Sequence, residues 1–286
     1  MKTLRMASVL ALVATASTAW AASASLTGLY SQNFDSMGQS GTTAPTGWSF
    51  VSEAGAHDAF TPTDDTITPG VLPNFTAGTL TANTTLVAVT GPTNQKANQG
   101  YNFGLSASAT NRALGTSPTG TAASILELSL TNATGVALNA INVGYDIRRF
   151  STTVNNNAGY KNGNYGGVEE LPGYWLFYSL NGGSTWINVA ALNPTLSGST
   201  GVVVPNTVGV TSVAQTLINL TGSWSAGSTL TLAWLDDNAQ GPSPDQLIGL
   251  DNVTVAIPEP STYAAILGAL TIGFVALRRR RTRLAA

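Results

Sequence analysis

Residues 141–149 run Ile141-Asn142-Val143-Gly144-Tyr145-Asp146-Ile147-Arg148-Arg149. Ile141, Val143, Tyr145 and Ile147 fall on every second position, and Asn142, Asp146 and Arg148 fill alternate places. A period of two belongs to a strand with one face on a core and the other toward water. A helix would need its apolar residues three and four apart, and here they are two apart. The stretch is therefore expected to be a strand with Ile141, Val143, Tyr145 and Ile147 inward and Asn142, Asp146 and Arg148 facing solvent.

Working outward, short runs of the same kind recur at 26–34, 80–89, 125–130, 175–180, 186–190, 213–220, 230–235 and 248–256. Gly, Asn and Pro separate them, and no long 3.6-period apolar segment interrupts them. Strands of this length with such turns predict an all-β fold, an antiparallel jelly-roll-like β-sandwich. About 235 residues suit one such domain. Residues 35–78 and 151–173 carry no strand pattern and are expected to be long irregular connections, where binding function concentrates.

The two ends differ from the body. Lys2 and Arg5 precede an apolar run at 6–16 and the small-residue site Ala19-Trp20-Ala21, a secretory signal peptide over 1–21. At the other end Pro258-Glu259-Pro260-Ser261-Thr262 leads into an uncharged apolar stretch, 263–277, and then Arg278, Arg279, Arg280, Arg281 and Arg283. About 15 residues make about 22 Å of helix, and snorkelling arginine stems extend it toward a hydrocarbon core of about 30 Å. The positive-inside rule places the arginines in the cytoplasm as a stop-transfer charge and Pro258 outside. The expected organisation is a signal peptide, a β-sandwich ectodomain over 22–256, and a tail over 257–286 holding one transmembrane helix.

This order of Pro-Glu-Pro, apolar helix and terminal Arg cluster resembles the PEP-CTERM sorting signal, also called the ice-binding protein C-terminal domain. The resemblance implies an exported protein of a Gram-negative bacterium, many of which make exopolysaccharide. It implies recognition of Pro258, Glu259 and Pro260 by an exosortase. The inner membrane would be a transient partner, and the cell surface or extracellular matrix the destination. The prolines fix φ and block a helix, so the tripeptide stays extended and presents one carboxylate above the membrane.

Removing both ends changes the charge. Of twelve Lys and Arg, only Lys96, Arg112, Arg148, Arg149 and Lys161 belong to the body, whereas of fourteen acids only Glu259 is lost. Five cations against thirteen acids leave a net −8, which excludes nucleic acid as a partner. There is no cysteine, so disulfides, thiolate metal sites and Cys nucleophiles are excluded.

Two local patterns stand out. Ser179-Leu180-Asn181-Gly182-Gly183-Ser184-Thr185-Trp186 matches an Asp-box with Asn in place of Asp. A single copy reads as a stable hairpin. The second is Trp234-Leu235-Asp236-Asp237-Asn238, then a loop with Asp245, then Ile248-Gly249-Leu250-Asp251-Asn252-Val253. With Leu130-Thr131-Asn132-Ala133-Thr134-Gly135, it resembles the closing half of jelly-roll modules of secreted bacterial proteins, over about 122–256. Arg148-Arg149-Phe150 stands where such modules often carry a Trp-Arg pair. The resemblance implies a fold and glycan binding, with no catalytic residues to carry over.

In strict alternation Asp251 shares a face with Val253 and Val255 and points toward the core. A buried carboxylate needs hydrogen bonds or a cation. Asp236, Asp237, Asp245 and Asp251 are hard oxygen donors suited to a structural Ca²⁺. The competing reading is an Asp/Asn-rich turn with Asp251 capping backbone amides, and the missing EF-hand spacing favours it. No other cofactor is implied.

Catalytic residues are not indicated. His57 is the sole histidine and sits in a loop stretch, and no pair among Glu53, Glu127, Glu169 and Glu170 is matched by spacing. Glu127 alternates with Leu126 and Leu128 and is expected outward on its strand. The expectation is a non-catalytic surface or matrix protein associated with exopolysaccharide. Tyr160, Tyr165, Tyr174 and Trp175 would supply rings for glycan stacking. A structural or adhesive protein without a small ligand, and a glycan-active hydrolase, are the alternatives.

Overall fold

The computed structural model describes residues 22–54, 81–89, 99–106, 108–118, 122–150, 173–194, 207–236 and 247–258. The signal peptide and the tail from Glu259 onward lie outside the described residues. Among the described residues no helix is long and apolar enough to cross a membrane.

Among the described residues fourteen strands form two sheets: β1 Ala24–Leu26, β2 Leu29–Gln32, β3 Trp48–Ala54, β4 Thr81–Asn83, β5 Val87–Val89, β6 Tyr101–Phe103, β7 Ala113–Thr116, β8 Ala122–Asn132, β9 Leu138–Arg149, β10 Trp175–Ser179, β11 Ile187–Asn188, β12 Gly209–Trp224, β13 Thr229–Asp236 and β14 Ile248–Ala256. The first sheet runs β11-β10-β13-β8-β3-β4, with β1 on β8. The second runs β12-β9-β14-β7-β6-β5, with β2 on β14. Pairing is antiparallel except for β1 with β8 and β5 with β6.

The core lies between the sheets. From the second sheet come Ile141, Val143, Tyr145 and Ile147, the expected inward set, with Ile248, Leu250, Val253 and Val255. The first contributes Trp48, Leu126, Leu128, Leu130, Leu176, Leu232 and Trp234. Trp48 stacks on Trp234 at 5.5 Å, Phe34 meets Trp48 edge-on at 4.9 Å, and Tyr145 meets Trp234 edge-on at 5.8 Å. Each large side chain so buried contributes about 1.5–3 kcal/mol, which makes this cluster the main cohesion between the sheets.

The expected strands at 125–130, 141–150, 230–235 and 248–256 are present as Ala122–Asn132, Leu138–Arg149, Thr229–Asp236 and Ile248–Ala256. The first run, expected as one strand over 26–34, divides between the sheets: Leu26 ends β1, on β8, while Leu29 to Gln32 pair with Ala256 to Val253 of the last strand. Two further expectations change. Residues 48–54, assigned to an irregular connection, form β3 between β8 and β4. Trp48 and Phe50 join the core while Val51 joins an apolar cluster on the opposite face, so both faces are covered and the alternation disappears. The run at 80–89 is two strands, one in each sheet, with Leu86 buried at the passage between them.

Registers place one end of the sandwich clearly. Ala54 pairs with Ala122, Ser124 with Asp236, Leu235 with Trp175, and Arg149 with both Gly209 and Ile248, while Ile248 pairs with Thr116. The strand ends that bound residues 55–80, 117–121, 150–174 and 237–247 therefore all lie at this end.

Candidate functional site

A buried polar relay joins the two sheets at that end. Thr116, the last residue of β7, donates its hydroxyl proton to Asp236 Oδ2, at the end of β13. That proton is then committed, so Tyr174 must donate to Thr116 Oγ1, at 2.8 Å. Tyr174, Thr116 and Asp236 are each at most 1% exposed, and a hydrogen-bond chain in such surroundings strengthens along its length. Burial pushes the Tyr174 phenol well above its usual value, with the Asp236 charge adding to the effect. It therefore stays protonated and remains a donor. Beside it, burial also raises the Tyr145 phenol, and the Trp234 indole N–H offsets part of that rise. Those two groups approach without closing a hydrogen bond of full geometry. The relay fixes the roots of the connections that leave Thr116, arrive at Tyr174 and leave Asp236.

The outer face of the first sheet holds a second polar feature. One row across it reads Ser49, Glu127, Ala233, Phe177 and Asn188. Glu127 is outward from the core, as alternation requires, yet it is fully buried. Ser49 Oγ donates to Glu127 Oε2 over a long 3.4 Å, and Oε1 has no partner. Burial, only partly offset by Ser49, pushes the carboxyl up to about 8, so it is neutral at pH 7. Val51, Ile125, Trp175, Phe177, Trp186 and Leu235 form a separate apolar cluster on the same face.

The outer face of the second sheet carries an ion pair. Arg148 Nη1 lies 3.2 Å from Asp251 Oδ2, both side chains are under 10% exposed, and Arg148 also donates to Asn111 Oδ1. Arg148 was expected in water and is instead buried over Phe150, its guanidinium 5.5 Å from the ring centroid. The inward phase expected for Asp251 is corrected by a bulge. The register with β9 shifts between Asp251 and Thr254, and Asn252 adopts φ 47°. Leu250 and Val253 both face the core, so the extra residue turns Asp251 to the outer face.

The sequence-derived site residues divide accordingly. Asp236 and Asp251 sit on different sheets and different faces, each with its own partner. Asp237 and Asp245 lie outside the described residues, and among the described residues no group of three His, Cys, Asp or Glu could hold a metal. Tyr174 is in the core with its hydroxyl engaged, and Trp175 is 2% exposed in the outer apolar cluster, so neither ring presents an open face. Tyr160 and Tyr165 lie outside the described residues, as do Glu259, Pro260 and the arginines Arg278, Arg279, Arg280 and Arg281; Pro258 is the last described residue. Sequence reasoning missed Thr116, which nothing in its neighbourhood marks. It also missed the burial of Glu127, whose one signal is a lone acid in Ile125-Leu126-Glu127-Leu128.

The Asp-box stretch is a hairpin, joining β10 to β11. Asn181 Oδ1 accepts from the Thr185 amide at 3.0 Å and Ser179 Oγ from the Gly183 amide at 2.9 Å. Gly182 and Gly183 take φ of 67° and 80°.

No family model matches the chain, and no curated protein matches its sequence. Among solved structures it is similar to one titled as TmCBM61 in complex with beta-1,4-galactotriose. The identity is 8%, over 52% of this chain and 72% of that one, with a TM-score of 0.25. A likeness of that size carries no argument about ligand or activity.

Proposed function

We propose that this chain is an exported, non-catalytic cell-surface or matrix protein, sorted by an exosortase, whose sandwich binds glycan at the end closed by the Tyr174–Thr116–Asp236 relay. The observation that carries the binding reading is the gathering of strand ends there, with long connections rooted on a rigid inter-sheet link. Loops held by a stiff scaffold are the usual way a sandwich presents a recognition surface. Tyr160 and Tyr165 belong to the connection between Arg149 and Tyr174 and supply the stacking rings. With Glu127 neutral the folded body carries five cations against twelve ionised acids, net −7, which repels uronate and sulfated sugars, so the ligand class is neutral exopolysaccharide.

A glycan array probed with the exported protein is expected to show binding to neutral glycans, lost in a Tyr160→Ala, Tyr165→Ala double variant that keeps the wild-type melting temperature. No binding to any glycan would leave the structural or adhesive reading in its place. The sorting reading rests on the Pro-Glu-Pro, apolar and Arg order of the tail. Glu259→Gln is expected to accumulate as a membrane precursor in cells that have an exosortase. Normal processing of that variant would reduce the tail to an ordinary anchor.

A further inference from the structure

β12 ends the second sheet: β9 pairs with one of its sides, and among the described residues no strand pairs with the other. At 16 residues it is the longest described strand. Natural sheets protect such edges with lysine, proline, bulges or a cover. Here there is no Asp, Glu, Lys or Arg anywhere from 171 to 235, and no proline within the strand. Of seven large hydrophobic side chains exposed among the described residues, three lie on or next to it: Val208 at 50%, Val210 at 58% and Leu217 at 52%. The strand is bulged further along, where its register against β9 shifts after Val213 and again after Asn219. Beyond the second shift the Thr221 amide is taken by Tyr178 Oη at 2.8 Å. The edge is therefore regular over 209–213 and 216–219, and the first stretch, with Val210 in it and Val208 beside it, is the more apolar of the two.

We propose that this edge pairs with the same edge of a second copy of the chain, antiparallel about a two-fold axis, joining the two second sheets into one. Two copies of a body with an excess of acids repel one another, but a two-fold contact at 209–213 sets uncharged residues against themselves. Among the described residues the closest facing acids, Asp146 on β9 of each copy, would be three strand spacings apart, about 14 Å, beyond the Debye length of about 8 Å at physiological salt. Val210 and Ser212 share the outer face beside Arg148 and Asp146, while Thr211 and Val213 continue the core face beside Ile147 and Tyr145. A strand from an unrelated protein would find main-chain groups here but no charge to recognise. The pairing stands apart from the glycan reading and holds whether or not a sugar is bound.

The chain has no cysteine, so single cysteines report unambiguously. Each of positions 208–217, and Ser225 as an exposed control, would be changed to Cys in the full-length protein in its membrane and oxidised gently. A disulfide needs Cα atoms within about 7 Å. A residue two places from a two-fold axis meets its own copy only about 13 Å away, at about 3.3 Å per residue over four residues. The expected result is a covalent homodimer peaking at one or two adjacent positions in 209–213, at background by 217 and at Ser225→Cys. Adding Val210→Lys to the peak variant should cut the dimer at least tenfold. Uniform cross-linking, none at any position, or a disulfide to a different protein would each overturn the proposal.

Discussion

Glu127 is a neutral acid inside a folded protein, and the consequence is a pH dependence of definite sign. Its folded value, about 8, lies above an ordinary 4.5, so between those limits the unfolded chain ionises and the folded one does not. Stability is full below about 4.5 and falls as pH rises toward 8, by at most about 5 kcal/mol for a difference of about 3.5 pH units. Urea unfolding of wild type at pH 5 and pH 8 should show this fall, and Glu127→Gln should flatten most of it. An unchanged slope in the variant would assign the dependence elsewhere. The Arg148–Asp251 pair behaves differently. Burial is the largest influence on the Asp251 carboxyl and raises its pKa despite the arginine, so desolvation outweighs the attraction. Removing one partner is then costly because the other stays buried: Asp251→Asn should lose about 3–5 kcal/mol. Combining it with Arg148→Met should restore much of that loss, which a double-mutant cycle would measure.

At the scale of elements, the bulge in β14 decides where Asp251 points. Asn252 holds φ 47°, a conformation Asn and Gly tolerate and β-branched residues resist. Its amide donates to Asp251 Oδ1 at 2.8 Å and its side chain to Asp146 Oδ2 at 2.8 Å. Asn252→Gly should stay within about 1 kcal/mol of wild type, whereas Asn252→Val should cost about 1–3 kcal/mol in thermal or urea unfolding. Equal behaviour of the two would mean that the backbone relaxes and the bulge is not enforced locally. Alternation in 248–255 cannot reveal this insertion, since a bulge shifts the phase without changing residue type. β3 escaped detection for the opposite reason. Buried on both faces, it lost the alternation that identified β9.

For the whole molecule, the relay between the sheets links stability to the proposed binding end. Thr116→Val removes the hydroxyl that ties Asp236 to Tyr174 while keeping the side-chain volume. Leaving buried polar groups short of that bond should cost about 1–3 kcal/mol. It should also weaken glycan binding although Thr116 is buried, because the roots of the three connections at Thr116, Tyr174 and Asp236 lose their common tie. Wild-type affinity in a Thr116→Val protein of reduced melting temperature would separate the relay from recognition.

Sequence alone determined the all-β class, the strand at 141–149, the hairpin at 179–186 and the acidic body. Each rests on local signals: a period of two, a turn chemistry, a count of charges. Tertiary structure decided which polar residues are buried and with whom. Arg148 and Glu127 alternate like solvent-facing residues, and only the groups covering the outer faces make one an ion-pair partner and the other a neutral acid. Thr116 and Asp236 are 120 residues apart and on different sheets, so their contact exists only once the two sheets close.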